Sequence, residues 1–216
     1  MTTMTTNETQ ALGWMSVSTA PAVRLASIGT LGPAGTSSEQ AAGLLWRELG
    51  EGPPVVRLFN SYERGADAVR DGHVSHFVVA NAYRDAHEFY MDLRLSLASV
   101  FIMDTPLYGL ARRPGVHDIP ARPTIASHRS PVPLIHQLMP AGLSVGDIEV
   151  MASTSAAAQA VRNRAVDLAL TTEVAARNHG LEFISATRPI RMVWSVFVAG
   201  GGGLAGLSGQ TAEGEG

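Results

Sequence analysis

The sequence predicts an α/β fold in which two lobes, each built on a mixed sheet, enclose a cleft. Apolar runs of strand length alternate with helical segments from about residue 23 to residue 200. This alternation occurs as two successive sets, and a final long strand over 191–199 returns towards the first set. Because ligands of such folds bind in clefts and at the carboxyl ends of strands, we expect a site between the lobes.

The two ends of the chain are predicted to lie outside this fold. Residues 1–22 are expected to form a disordered arm. Residues 201–216 are expected to form a disordered Gly-rich tail, because glycine and small polar side chains cannot support a core. The domain between them is expected to consist of lobe 1, about 23–108 with 188–200, and lobe 2, about 109–187.

Composition excludes several classes of function. The 216 residues carry a formal charge of −3 without a basic stripe, so nucleic acid is not an expected partner. No apolar run approaches the ~20 residues of a membrane span, so a membrane is not expected either. The sequence has no cysteine, which excludes disulfides, thiolate catalysis and Cys-ligated zinc. With no apolar stretch in its first ten residues, the sequence predicts a cytoplasmic protein.

The segment 25–42, LASIGTLGPAGTSSEQAA, is the most informative stretch of the chain. It predicts a short strand at 25–28, a glycine loop and a helix over about 37–49. Thr36 is a suitable N-cap, and Glu39 follows it at capping-box spacing. A glycine loop before a helix directs N–H groups and a positive dipole end at an anion. The segment therefore predicts either a phosphate or carboxylate site or a tight connection that binds nothing.

The remaining elements follow from apolar runs and capping residues. In the first set, strands are predicted over 55–59, 74–80, 95–103 and 108–112, with a Ser61-capped helix to about 71 and a polar loop over 81–90. In the second set, strands are predicted over 122–127, 148–153, 166–171 and 181–184, with helices over 132–139, within 151–163, and over 173–178 before Gly180. Strands and helices alternate in both sets, as an α/β fold requires.

Four segments resemble motifs of the prephenate dehydratases, in the order in which that family has them. GPAGTSSEQAA at 32–42 resembles the motif Gly-Pro-x-Gly-Thr-x-Ser-x-x-Ala-Ala, and SHRSP at 127–131 resembles Ser-His-Pro-Gln. STSAAAQAV at 153–161 and DLALTTEVAARNHGLEFI at 167–184 resemble two later segments. The resemblance covers about 25–198. It implies the two-lobed dehydratase catalytic-domain fold, which is similar to type II periplasmic binding proteins.

The chain departs from the dehydratase pattern at three places. SVF at 195–197 replaces Thr-Arg-Phe, so the arginine is missing. ANAY at 80–83 replaces Pro-Ile-Glu-Asn, and RS at 129–130 replaces Pro-Gln. Together with EFYM at 88–91 and MVWSVF at 192–197, these departures resemble the prephenate decarboxylases of secondary metabolism, which act in pathways to bacilysin, aeruginosins and salinosporamide.

This resemblance implies a carboxy-lyase of antibiotic or other secondary-metabolite biosynthesis that acts on prephenate. Such an enzyme releases carbon dioxide and protonates a ring carbon, and it keeps the ring hydroxyl, so that the product is a non-aromatic dihydro-4-hydroxyphenylpyruvate. No metal or organic cofactor is implied, and the sequence has no metal-ligand spacing. A homodimer is expected, because members of the family are often dimers.

The resemblance also implies the residues of the site. The expected catalytic residues are His128, Ser195 and Tyr83. The expected substrate-binding residues are Thr36, Ser37, Asn81, Arg129, Ser153, Thr154 and Ser155. Each has a structural alternative: the Ser and Thr hydroxyls could only cap helices, the histidine and tyrosine could only satisfy hydrogen bonds, the asparagine could form an Asx turn and the arginine could lie on the surface.

Two other functions remain open from the sequence. One is an ordinary prephenate dehydratase that forms phenylpyruvate for phenylalanine biosynthesis, since dehydratases share the motif at 32–42. The other is a module that binds prephenate without turnover, since two-lobed folds of this kind also serve as binding proteins.

Overall fold

The structure consists of strands in two sheets, with helices that connect the strands along the chain. The computed structural model describes residues 12–17 and 19–201. In this part of the chain the strands are β1 Gly13–Ser16, β2 Ile28–Leu31, β3 Val56–Phe59, β4 His76–Ala80, β5 Leu95–Asp104, β6 Tyr108–Arg112, β7 Ile125–His128, β8 Ile148–Met151, β9 Leu168–Thr172, β10 Glu182–Phe183 and β11 Arg191–Ala199. The helices are α1 Ser37–Leu49, α2 Tyr62–Arg70, α3 His87–Met91, α4 Pro133–Leu138, α5 Thr154–Arg162 and α6 Glu173–Asn178.

Both sheets are mixed, as the sequence predicts. The first has the strand order β1-β5-β11-β4-β2-β3, and the second has the order β10-β6-β9-β7-β8. In the first sheet, β2 is parallel to β3 and β4, whereas β11 is antiparallel to β4 and β5. In the second, β7 is parallel to β8 and β9, whereas β6 is antiparallel to β9 and β10. The chain thus builds the first sheet, then the second, and returns with β11.

Each sheet has its own hydrophobic core. The core of the first sheet includes Trp194 and Phe77, which are fully buried together with residues of α1 and α2. The core of the second sheet includes Leu110 and Ile135, which are also fully buried. A further cluster on the second sheet includes Ala126 and Val161. Because apolar burial is the main stabilising term in folding, separate cores on the two sheets are the packing expected of two lobes.

The chain crosses between the sheets twice, and the two crossings are hydrogen-bonded to each other. The Thr105 N–H donates to the Ile190 carbonyl at 3.0 Å, and the Ile190 N–H donates to Thr105 Oγ1 at 3.0 Å. The Tyr108 N–H donates to the Arg188 carbonyl at 2.8 Å, and the Arg188 N–H donates back at 3.0 Å. These crossings therefore form one two-stranded ribbon between the sheets.

Four elements have the bounds that the sequence predicts: α1, β6, α6 and β11. The first predicted strand is wrong in position, because β2 begins at Ile28 rather than at residue 25. Its Thr30 is fully buried and donates Oγ1 to the Val78 carbonyl at 2.8 Å. Because this buried threonine is polar, it interrupts the apolar pattern within β2. The pattern alone therefore predicted the strand three residues too early. The predicted loop over 81–90 contains the start of α3.

The predicted disordered arm is also wrong in part. Residues of β1, Gly13–Ser16, pair antiparallel with β5. Trp14 stacks on Phe101 with ring centroids 5.2 Å apart, and this contact holds a segment with little strand propensity of its own. Residues 1–11 and 18 of the predicted arm, and 202–216 of the predicted tail, lie outside the described residues.

Candidate active site

A cavity of about 140 Å³ is lined by residues from the elements of both sheets. Its polar lining consists of hydroxyl groups and one imidazole, from Thr36, Ser37, Ser38, Tyr62, Tyr83, Tyr108, His128, Ser130, Ser153 and Thr154. Its apolar lining comes from Leu31, Ala80, Ala82, Pro131, Ala152, Ile190 and Met192. No Asp, Glu or Arg side chain of the described residues lines it. The cavity is therefore rich in hydrogen-bond donors and has no ionised acid or guanidinium in its wall.

The N-terminus of α1 forms one part of this wall. Gly35 has a φ of +84°, a conformation that favours glycine, and it brings the loop into the helix. Thr36 is the N-cap: its Oγ1 accepts from the Glu39 N–H at 3.3 Å. Glu39 Oε2 in turn accepts from the Gly35 N–H at 2.6 Å. In a standard capping box this side chain would accept from the N–H of the N-cap residue, one position later. These bonds fix the loop and leave the first N–H groups of the helix directed along its axis.

The N-terminus of α5 forms a second part of the wall. Ser153 is its N-cap and accepts from the Ala156 N–H at 3.0 Å. The Thr154 carbonyl accepts from Thr171 Oγ1 of β9 at 2.8 Å, which ties the start of the helix to the second sheet. Because a helix N-terminus carries about half a positive charge, two such ends at one cavity favour a carboxylate.

Tyrosine hydroxyls occupy the wall between these helix ends. Tyr62 and Ser38 share a hydrogen bond of 2.7 Å between their hydroxyl oxygens. Burial raises the pKa of Tyr62 to about 12, so this phenol stays protonated at neutral pH. Tyr83 donates its hydroxyl to Glu63 Oε1 at 2.6 Å, and both burial and this carboxylate raise the pKa of Tyr83. The phenols of the cavity are thus weak acids.

His128 ends β7 and presents the only imidazole among the lining residues that the structure describes. Its Nδ1 accepts from the Ser130 N–H at 3.4 Å, which assigns the proton of the neutral ring to Nε2. Burial, and then the neighbouring Arg129 charge, lower the pKa of His128 below 6.5. The ring is therefore neutral at pH 7 and has an N–H to donate.

The chain is similar in sequence to curated proteins, although no protein-family model matches it. It is 36% identical over 182 residues to a prephenate decarboxylase of Planktothrix agardhii, a match that covers 82% of this chain and 90% of that protein. It is 36% identical over 183 residues to a prephenate decarboxylase of Bacillus subtilis, a match that covers 82% of this chain and 88% of that protein. The chain belongs to the prephenate decarboxylase family.

The fold of this prephenate decarboxylase family member is that of the prephenate dehydratases. A solved prephenate dehydratase from Arthrobacter aurescens, in complex with L-Phe, matches it with a TM-score of 0.64 at 19% identity. The match covers 82% of this chain and 61% of that chain, so our chain spans about three fifths of it. At this identity the likeness concerns the fold alone. The family and the fold class predicted from the sequence motifs are both confirmed.

Six of the residues that the family resemblance implies for a prephenate decarboxylase site come together in the cavity. They are Tyr83, His128, Thr36, Ser37, Ser153 and Thr154. The two helix N-termini that the sequence marks by their hydroxyl residues are thus brought to one place, although they lie more than one hundred residues apart in the chain.

Two further predicted residues of this family member, Ser195 and Asn81, lie outside the cavity wall. Ser195 is fully buried and donates its hydroxyl to Asn81 Oδ1 at 2.6 Å; it is also hydrogen-bonded to the Tyr90 hydroxyl. Met192 of the same strand lines the cavity instead. Because successive side chains of a strand point to opposite faces, Ser195 and Met192 lie on opposite faces of β11. Ser195 is thus part of a hydrogen-bonded group with Asn81 and Tyr90, and its catalytic role stays a prediction.

Ser155 and Arg129 also lie outside the wall. Ser155 is hydrogen-bonded to His179 Nε2 at 3.0 Å and is directed away from the cavity lining. Arg129 is exposed and has no ion pair with a described residue. Its charge, after burial, lowers the pKa of His128.

Several lining residues were missed by the sequence reasoning on site residues. They are Tyr62, Ser130 and Ile190. A signal existed for Tyr62, because it directly follows Ser61, the predicted and observed N-cap of α2. Tyr62 is the first residue of α2, so a third helix N-terminus lies beside the cavity. No signal existed for Ile190, which lies in the ribbon between the sheets.

The structure gives no indication of a metal centre or a membrane span within residues 12–17 and 19–201. No group of three or more His, Asp or Glu side chains there is arranged to hold a metal ion. No helix there has the length and apolar character that a bilayer crossing requires.

Proposed function

We propose that this protein is a non-aromatising prephenate decarboxylase, a carboxy-lyase of secondary metabolism. The observation that carries the proposal is the cavity, which joins two helix N-termini to an apolar wall and has no charged side chain among its described lining residues. Its sequence relatives are named for this activity. Prephenate has two carboxylates, a ring hydroxyl and a diene, and each of these groups meets a different part of the cavity.

The pyruvyl carboxylate is held at the helix N-termini in this proposal. Thr36 and Ser37 supply the hydroxyls and N–H groups of α1, and Ser153 and Thr154 supply those of α5. Backbone N–H groups and helix dipoles bind a carboxylate without a guanidinium. This end of the substrate is therefore bound equally before and after the reaction, so it orients the ring without resisting bond cleavage.

The ring carboxylate is placed against Ala80, Ile190 and Met192, where no cation pairs with it. A carboxylate in an apolar wall is poorly stabilised. When its bond to the ring breaks, carbon dioxide departs and the electron pair spreads into the diene, which needs less solvation. The difference in environment between these two states lowers the barrier.

A ring carbon then accepts one proton, and the donor regains a proton from water, so that the prephenate dianion and one proton give carbon dioxide and the product monoanion. His128 is the donor in this proposal, through its Nε2–H. A neutral imidazole or a phenol is a sufficient acid for a dienyl carbanion, which is strongly basic. The same groups are too weak to protonate an alcohol, because the pKa of Tyr62 is about 12 and Tyr83 is bonded to Glu63. The ring hydroxyl therefore stays, and the ring does not become aromatic.

Incubation of the purified protein with prephenate tests the function. We expect carbon dioxide release together with a product that keeps the hydroxyl and a diene, identified by mass and by NMR. A reaction without protein controls for acid-catalysed aromatisation. Phenylpyruvate as the main enzymatic product would instead establish a dehydratase, and saturable prephenate binding without carbon dioxide release would establish a binding module. Either result would reject the proposal.

We also propose that the protein is a cytoplasmic homodimer. The cysteine-free sequence fits a reducing compartment. Met91, the last residue of α3, and Leu93, two residues later, are 76% and 81% exposed, and such exposed apolar side chains suit burial against a second copy. Light scattering after size-exclusion chromatography should give twice the chain mass of 22.8 kDa, and Leu93→Glu should weaken the dimer. A monomer at all concentrations would contradict this assembly, and fractionation of the native cells tests the compartment.

A further inference from the structure

A second cleft, of about 530 Å³, opens beside the C-terminal ends of α5 and α6. Its polar lining is Arg113, Arg162, Arg177, Asn178 and His179, and we call it the arginine cleft. None of the described residues that line it is an Asp or a Glu. It shares no lining residue with the cavity, so it is a separate feature of the molecule.

The three guanidiniums of the arginine cleft differ in how they are held. Arg113 donates Nη1 to the Val161 carbonyl at 2.7 Å, which fixes its position and leaves its other N–H groups for a further acceptor. Arg162 and Arg177 are exposed and have no ion pair with a described residue. Two acids lie near these arginines in the sequence: Glu182 is already paired with Arg112 at 2.8 Å, and Glu173 lies four residues before Arg177 on α6 without an ion pair to it.

Compensation of helix dipoles explains only part of this charge. The two helix C-termini carry about −0.5 each, and a basic residue in the last turn stabilises such an end. Arg162 and Arg177 are in the last turns of α5 and α6. Three guanidiniums against about one negative charge leave an excess of about two positive charges. This excess matches a dianion.

We propose that the arginine cleft binds a phosphorylated small molecule through its phosphate monoester dianion. Guanidinium groups present planar pairs of N–H donors that fit two phosphate oxygens at once. Arg113 supplies a fixed donor set, and Arg162 and Arg177 supply two arms that close on the anion. The cleft is large enough for the phosphate and a small organic group attached to it.

Two residues of the cleft touch segments that build the cavity. A Cβ placed on Gly35 would lie 3.0 Å from Asn178 Nδ2, so α6 packs directly on the loop before Thr36. His179 Nε2 lies 3.0 Å from the hydroxyl of Ser155, which follows Thr154. An anion in the cleft would thus be felt at both helix N-termini of the cavity. Binding itself does not depend on the proposed reaction.

Calorimetric titration of the full chain with inorganic phosphate, at about pH 8 where phosphate is a dianion, tests the proposal. We expect one saturable site in the wild type. Arg162→Gln with Arg177→Gln should raise the dissociation constant at least ~10-fold, the scale of lost charge-assisted bonds. Arg164→Gln is the matched control, because Arg164 is an exposed arginine two residues from Arg162 and lies outside the cleft.

A second readout locates the anion. Burial, and then the Arg162 charge, lower the pKa of His179, so a bound dianion should raise it in an NMR titration of the histidine. Equal phosphate binding by the wild type and the double variant, with both folded by circular dichroism, would overturn the proposal. So would an absence of saturable phosphate binding. Tighter binding of malate than of phosphate would reject the assignment to a phosphate ester.

Discussion

The cavity and the arginine cleft use opposite ends of helices for opposite purposes. The cavity gathers the N-termini of α1 and α5, whose positive ends need no charged side chain to attract an anion. The arginine cleft lies at the C-termini of α5 and α6, where several guanidiniums are needed before an anion is favoured. The difference shows two ways in which one fold can favour an anion, by helix N-termini without charged side chains or by arginines at helix C-termini.

The largest expected effect comes from giving the cavity the charge that the arginine cleft has. Met192→Arg places a cation beside the ring carboxylate and stabilises the bound substrate more than the transition state. We expect kcat for carbon dioxide release to fall about 100-fold while KM falls or stays constant. Met192→Leu controls for packing and should stay within about 3-fold. A folded Met192→Arg variant with unchanged kcat would show that the missing charge is irrelevant.

Removal of the proposed proton donor should have a comparable but smaller effect. His128→Asn keeps a polar side chain and loses the N–H of the ring, so we expect kcat to fall about 50-fold with little change in KM, just below the ~10²- to 10⁴-fold that general acid catalysis typically contributes. His136→Asn, which changes an exposed histidine of α4, is the control. If His128→Asn retains full turnover, another group protonates the ring.

A change at one helix N-terminus should be smaller again. Thr36→Val removes one hydroxyl from the cavity, and we expect kcat/KM to fall about 10-fold, mostly through KM. Thr36→Ser should restore activity, because it keeps the cap and the hydroxyl. Ser195→Ala removes a hydroxyl behind the sheet and should stay within about 3-fold. A larger loss for Ser195→Ala than for Thr36→Val would reverse the placement of the site.

The smallest expected effect is a shift in the pKa of one histidine in each of the two regions. The pKa values of His128 and His179 are both lowered, by burial and then by an adjacent arginine, Arg129 and Arg162 respectively. Arg129→Gln should therefore raise the pKa of His128 alone, and Arg162→Gln that of His179 alone, each by a few tenths of a unit. NMR titration of the imidazole resonances measures both shifts. If either substitution shifted the pKa of the other histidine, or shifted neither pKa, these electrostatic interactions would be contradicted.

The same two histidines make the free energy of unfolding depend on pH. Their folded-state pKa values lie below 6.5, the value of an unperturbed histidine, so the unfolded chain binds protons first as pH falls. Their contribution to the free energy of unfolding is fully present above pH 6.5. It declines as the pH falls from there through the lowered pKa values. Urea unfolding between neutral and acidic pH measures this decline.

The sequence predicted the polar part of the site better than the apolar part. Capping residues are local signals, so Thr36 and Ser153 could be placed at helix starts from the residue pattern alone. The face of β11 could not be predicted in the same way. Residues 194–198 of that strand are all buried, and without alternation of polar and apolar residues nothing in the pattern separates Met192 from Ser195.

Tertiary contacts explain the other differences. β1 was missed because Trp14 is held by its stack on Phe101, a contact between residues distant in sequence. α3 was missed because it has only five residues and no side-chain cap, so neither periodicity nor a capping residue marks it. Local rules cannot supply what packing decides.

The ribbon between the sheets determines how the cavity can open. Two crossings joined by hydrogen bonds bend easily in one direction, whereas twisting or shearing them would break those bonds. Bending of the ribbon is therefore the motion between the sheets that keeps these hydrogen bonds. Ile190 belongs to both the ribbon and the cavity wall, so bending of the ribbon would move a residue of the wall.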